Sequence, residues 1–224
     1  MDMTGVDKLC LITSVIYNIM KGEAQMSDKL SQNQEMQKQE QERPELWREE
    51  TVSSEQIFEG RIISLQVDTV ALPGGRTATR EIVRHPGASA VMALLDGKLL
   101  VVEQYRKPMD IFQVEIPAGK LDGDEDPALA AARELEEETG YRPKGLKLIS
   151  SFYTSPGFAD EKLYLYFADE LERGEQNPDE DEDLFVEAIT LEQAERYISE
   201  GRISDAKTIL AVYAWKLYLQ TGAI

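Results

Sequence analysis

The sequence is short of the residues that most often carry nucleophilic and redox chemistry: it holds one cysteine, Cys10, and one histidine, His85, among 224 residues. A lone cysteine excludes an intrachain disulfide, a cysteine-based zinc site and a thiol redox pair. His85 precedes Pro86-Gly87 in a strand-end turn and reads as structural, and no Ser–His or Cys–His machinery can be built elsewhere. Basic residues are scarce as well. With 24 Lys+Arg against 42 Asp+Glu the formal net charge is −18. That argues against nucleic acid and anionic membranes as partners, since both are bound through clustered Lys and Arg. An acidic protein that handles a phosphate substrate needs bound cations. Long apolar runs are missing too: Leu9–Met20 falls short of the about 20 residues that span a bilayer, and Asp2 and Asp7 spoil the basic region of a signal peptide. The expected location is the cytoplasm.

What is present is enough apolar residue, 42%, to bury a core. Met26 followed by Ser-Asp-Lys reads as a second start, which makes residues 1–25 an upstream extension, and 27–45 is Gln/Glu/Lys/Ser-rich with little to bury. We expect residues 1–45 to be disordered or mis-assigned, 46–86 to form an N-terminal β-domain and 87–224 the main domain. Alternation from Ile57 through Leu72, the Pro73-Gly74-Gly75 turn and 77–83 predict a hairpin. Residues 89–95, the Asp96-Gly97 turn and 98–104 predict a second, with strands covered on both faces. Further strands are expected at 112–116, 146–153, 163–168 and 185–189, with helices after Thr190 and after Ser204. Tyr213, Trp215 and Tyr218 on the last helix read as packing. The order predicts an α+β (α/β) fold: a mixed sheet sandwiched by helices, plus a small N-terminal antiparallel sheet.

The most telling segment is the helix predicted over 127–139, capped by Asp126, begun by Pro127 and ended by Gly140. Glu134, Glu136, Glu137 and Glu138 crowd its last turns, at the negative end of the helix dipole. Glu134 faces Glu138 and Glu137 at i,i+4 and i,i+3, and each like-charge pair costs a few tenths of a kcal/mol. Arg133 can neutralise part of this through Glu137. A hard divalent cation with oxygen ligands would offset the rest.

From Gly119 the chain reads GKLDGDEDPALAAARELEEETGY, which resembles the signature box of the Nudix hydrolases, with Gly119, Glu125, Arg133, Glu134, Leu135, Glu137, Glu138, Gly140 and Tyr141 in register. The segments TREIVRHPGA (79–88), EQYRKP (103–108), VEIPAG (114–119) and TSPGFADE (154–161) resemble the ADP-ribose pyrophosphatase branch, which Pro156 marks. The resemblance implies a Nudix α/β/α sandwich and Mg2+-dependent hydrolysis (Mn2+ as alternative) of ADP-ribose to AMP and ribose 5-phosphate. It also implies a homodimer that swaps its N-terminal β-domains.

By the same resemblance Glu134, Glu138 and the Ala118 carbonyl would hold metal, with Glu137 close by and Glu182 as an additional ligand. Arg133 and Glu125 would fix the loop to the helix. Glu180 is the first choice of general base and Glu161 the runner-up. Arg106 would meet the diphosphate or terminal ribose and Arg80, from the other subunit, the adenosine side; Glu115, Leu121, Ser155 and Gly157 would also line the substrate. One departure stands out: no aromatic follows Gly60, where the family often stacks adenine, leaving Trp47 or the Arg80 plane to substitute. ADP-glucose and GDP-mannose therefore stay open as substrates. A non-hydrolytic ADP-ribose sensor is the reading from another class.

Overall fold

A computed structural model describes residues 47–178 and 183–224. Three strands, β1 (Glu50–Glu59), β2 (Ser64–Ala71) and β3 (Thr77–Arg84), form a small antiparallel sheet in that order. The turn between β2 and β3 uses the two glycines as expected, Gly74 at φ +86° and Gly75 at φ +77°, and closes with Leu72 N–H donating to the Arg76 carbonyl at 2.8 Å. Strand β1 begins seven residues before the alternation at Ile57, and every one of its residues is exposed. The described residues fall into two compact units, one of 47–53 with 69–79 and one of 54–68 with 80–224.

The main sheet has seven strands. β4 (Ala88–Leu95) and β5 (Lys98–Arg106) form the second hairpin, and β12 (Phe185–Ile189), β10 (Lys162–Ala168) and β9 (Lys147–Tyr153) extend it in the order β12-β5-β4-β10-β9. β6 (Ile111–Glu115) pairs with β5 and β7 (Ala118–Lys120) with β4. β10 runs parallel to β4 while its other neighbour, β9, is antiparallel, so the sheet is mixed. A two-stranded ribbon joins β8 (Tyr141–Pro143) to β11 (Leu171–Arg173).

Successive residues of β4 face opposite ways, and both faces are covered. Ala90, Met92 and Leu94 pack with Leu165, Ala211 and Trp215 on one side; Val91 and Ala93 pack with Ala131 and Leu135 on the other. This explains the near-continuous apolar run of β4, because a strand buried on both faces has no polar side. Helix α1 (Pro127–Thr139) covers the second face, while α2 (Leu191–Ser199) and α3 (Ala206–Thr221) cover the first. The helix starts follow their caps: Thr190 and Gln193 make a reciprocal capping box, and Asp205 accepts from Thr208 N. Of the α3 aromatics, Trp215 is buried in the core and Tyr218 packs against it, while Tyr213 is 58% exposed because it lies off the buried Thr208–Ala211–Val212–Trp215 stripe.

Candidate active site

Helix α1 is held at both ends by its own sequence. The Asp126 carboxylate accepts from Ala128 N at 2.8 Å and Leu129 N at 3.3 Å, and Gly140, at φ +73°, donates its N–H to the Glu136 carbonyl at 2.7 Å. These caps fix which glutamates face the sheet. Glu138 is 2% exposed, and its Oε2 accepts the Ala118 N–H at 3.1 Å. Glu134, one turn earlier, lays its carboxylate over Gly119: a Cβ built there would sit 1.9 Å from the Glu134 Cδ. Ala118, Glu134 and Glu138 thus meet where α1 crosses β7.

Arg133 gathers the remaining carboxylates. Its Nε and Nη2 donate to Glu125 at 3.1 and 3.0 Å, and its Nη1 donates to Glu134 and Glu137, both at 2.8 Å. Nη2 also reaches the Lys120 carbonyl at 3.3 Å, so one guanidinium ties the 120–125 loop to the helix, as expected of Arg133 and Glu125. The Glu125 hydrogen bond leads the causes that raise the Arg133 pKa. The same pair holds the Glu125 carboxyl below the usual glutamate range.

A second guanidinium lies at the end of β5. Arg106 makes a bidentate pair with Glu115, Nε to Oε1 at 2.6 Å and Nη2 to Oε2 at 2.8 Å, and Glu115 is only 2% exposed. Lys207 also donates to Glu115 Oε2, and to Asp205 at 3.0 Å. Burial pushes the Glu115 carboxyl up, but Arg106 and Lys207 outweigh it and hold it below the ordinary value. Arg106 is raised first by its hydrogen bond to Glu115, against its own burial, and then by the charges of Glu115, Glu138 and Asp205.

The 154–161 loop docks on the end of β3. Val83 N donates to the Phe158 carbonyl at 2.8 Å and Asp160 N to the Val83 carbonyl at 3.1 Å. Asp160 accepts from His85 N at 2.8 Å and pairs with Arg84 at 3.0 Å. Glu161 accepts the Thr154 hydroxyl and lies 3.8 Å from His85 Nε2. His85 Nδ1 accepts the Gly87 N–H at 3.0 Å, which accounts structurally for the single histidine.

Of the other expected substrate residues, Arg80 is half-buried on β3, and Ser155 closes the loop by accepting from Phe158 N and Ala159 N. Gly157 is exposed, and Leu121 donates its N–H to the Gly87 carbonyl. Glu180 and Glu182 lie outside the described residues. Lys207 and Asp205 were not anticipated. The available signal was a lysine in the first turn of a helix, at the positive end of its dipole.

Among the described residues no three His, Cys, Asp or Glu side chains already form a metal cluster. The donor chemistry nevertheless suits a hard divalent cation: the Glu134 carboxylate lies over Gly119 and the Glu138 carboxylate is held by the neighbouring Ala118 N–H, so both oxygen donors lie along β7, where the Ala118 carbonyl would add a third oxygen. A cation there would compete with Arg133 for Glu134.

A helix that lays two glutamates over a glycine-bearing strand, with an arginine binding its loop, defines the class: the chain belongs to the Nudix family of hydrolases, matching the NUDIX domain over residues 83–211. Residues 49–83 match the nucleoside diphosphate sugar hydrolase N-terminal domain. Nudix hydrolases generally need a divalent metal. Among curated relatives, a methanol dehydrogenase activator of Bacillus methanolicus is 55% identical over 75% of this chain and 92% of its own length. An ADP-ribose pyrophosphatase of Bacillus subtilis is 51% identical over 73% and 90%. A solved structure, that of an ADP compounds hydrolase, superposes with a TM-score of 0.71 at 18% identity, covering 80% of this chain and 97% of the other, which shows the fold. No helix among the described residues is long and apolar enough to cross a membrane.

Proposed function

We propose that this chain hydrolyses the pyrophosphate bond of ADP-ribose, with Mg2+, to give AMP and ribose 5-phosphate. The observation that carries this is the placement of Glu134 and Glu138 of α1 against Gly119 and Ala118 of β7. The 51% identity to a protein named ADP-ribose pyrophosphatase supports the choice of substrate. Glu134, Glu138 and the Ala118 carbonyl, with Glu182, would hold Mg2+ (or Mn2+), which neutralises the diphosphate and lowers the pKa of bound water. Arg106 binds the diphosphate or the terminal ribose. Glu115 and Leu121 complete this side of the substrate site, with Ser155 and Gly157 from the docked loop.

Glu180 takes the proton from the attacking water. Glu161 is the alternative base, held in place by the Thr154 hydroxyl and the nearby His85 ring. Water adds to one phosphorus, the bridging P–O bond breaks, and the bridging oxygen leaves with the other phosphate. Residues 46–86 serve as a dimerisation domain that brings Arg80 to the partner's adenosine site, a reading that exposed Ile57, Phe58 and Ile62 support. We place the enzyme in the cytoplasm.

The test incubates the purified chain with ADP-ribose, ADP-glucose, GDP-mannose or NADH, with and without Mg2+, and chromatographs the products. AMP formed fastest from ADP-ribose, and only with metal, is the expected result. Faster cleavage of another diphosphate keeps the chemistry and replaces the substrate. Saturable binding without cleavage replaces the enzyme by a sensor.

A further inference from the structure

The start of α3, with Ser204 just before it, grips β6 and the residue after it at three points. Ser204 accepts from the Gln113 side chain, Lys207 donates to Glu115, and the buried Thr208 hydroxyl accepts the Ile116 N–H at 3.0 Å. Anchoring a helix needs no charge, and a lysine in a first turn opposes the helix dipole. Yet Lys207 is there with only 13% of its side chain exposed, on the same Glu115 oxygen that Arg106 Nη2 uses. Two cations therefore share one buried carboxylate. Were Arg106 its sole partner, Glu115 would cancel the arginine charge where a diphosphate is to be bound. With Lys207 taking part of that carboxylate, Arg106 keeps its orientation and more of its own charge.

We propose that Lys207 is a positioning residue for substrate binding, which acts through Glu115 to hold Arg106 oriented and electrostatically available to the substrate diphosphate. The proposal rests on the assignment of Arg106 to the diphosphate made above. Asp205 sits on the other side of the lysine and draws charge from it, so the two neighbours should act on binding in opposite directions.

The experiment measures KM and kcat for ADP-ribose at saturating Mg2+ on the full chain, with circular dichroism as the folding control. Lys207→Met is expected to raise KM about five- to tenfold with kcat within about twofold, and Lys207→Arg to restore KM, as for an interaction made equally in ground and transition states. Asp205→Asn keeps a good N-cap and is expected to lower KM about twofold by leaving more of the Lys207 charge on Glu115. Lys216→Met removes an exposed lysine of the same helix, paired with Glu195, and should leave KM unchanged.

A folded Lys207→Met chain with wild-type KM, or one that loses kcat alone, overturns the proposal and leaves an anchor only. If Lys207→Met does not fold, Asp205→Asn decides, and an unchanged or raised KM overturns it. Wild-type preference for another nucleoside diphosphate sugar fails the substrate reading alone, and the same KM ratios on that compound then decide the role of Lys207.

Discussion

Two arginine–carboxylate clusters flank the proposed site, and they are built on opposite charge balances. Around Arg133 one cation serves Glu125, Glu134 and Glu137, with Glu138 on the next turn. Around Glu115 two cations, Arg106 and Lys207, serve one buried carboxylate, with Asp205 beside them. The first cluster is anionic and partly open, and in the function proposed above a cation from outside would complete it. The second is balanced around a buried carboxylate, with only the Arg106 side exposed, and it has nothing to gain from a metal. Surplus charge marks the place where something binds, and balanced charge marks the part that holds the binding groups still.

The comparison breaks most visibly if the balanced cluster is opened. Glu115→Ala leaves Arg106 and Lys207 half-buried without their anion, and breaking such a pair costs about 3–5 kcal/mol. Chemical denaturation should show a loss of that size. The pH dependence has a definite sign: the folded Glu115 pKa lies below the ordinary glutamate value of about 4.3, as do those of Glu125 and Asp160 for theirs. Their stabilisation is complete above the unfolded value and is lost as pH falls through the folded one. Wild-type Tm should therefore drop on acidification below about pH 4, and Glu115→Gln should drop less steeply. Equal slopes would mean that Glu115 is not held as a charged partner.

Opening the anionic cluster should do the reverse. Glu134→Gln or Glu138→Gln is expected to cut kcat by about 10²–10³-fold, equivalent to about 3–4 kcal/mol of barrier. The fold should stay intact or gain slightly, because like charges three and four residues apart are relieved. Turnover and thermal melting on the same preparations measure this. A variant with near-wild-type turnover would remove that glutamate from the metal set.

Local signals in the sequence located most of the fold. Asp126, Pro127 and Gly140 bound α1, Asp96-Gly97 and Pro73-Gly74-Gly75 fixed the hairpins, and the apolar run of β4 announced a strand covered on both faces. The start of β1 was not legible, since Glu50–Gln56 holds Val52 as its one apolar residue and carries no alternation to read. In the site, the Arg133–Glu125 tie could be expected from the resemblance to a known signature. Lys207 could not, because its partner is 92 residues away and only the packing of α3 on β6 joins them.

The smallest expected effect sharpens the distinction between binding charge and holding charge within the anionic cluster itself. Gly119 lies opposite Ser89 in the β7–β4 ladder and has no positive φ to explain it, so backbone freedom is not its reason. The reason is space: the nearest heavy atoms to an added Cβ all belong to the Glu134 carboxylate, at 1.9 to 2.2 Å. A carboxylate at the end of a flexible side chain can swing aside, so Gly119→Ala should cost the fold little. It cannot swing aside and stay beside Ala118. The expected outcome is about a tenfold loss of kcat, near 1.4 kcal/mol of barrier, with a raised Mg2+ requirement and a Tm close to wild type. A loss of Tm without a change in Mg2+ requirement would show that Gly119 serves packing, and that Glu134 does not need the place it occupies.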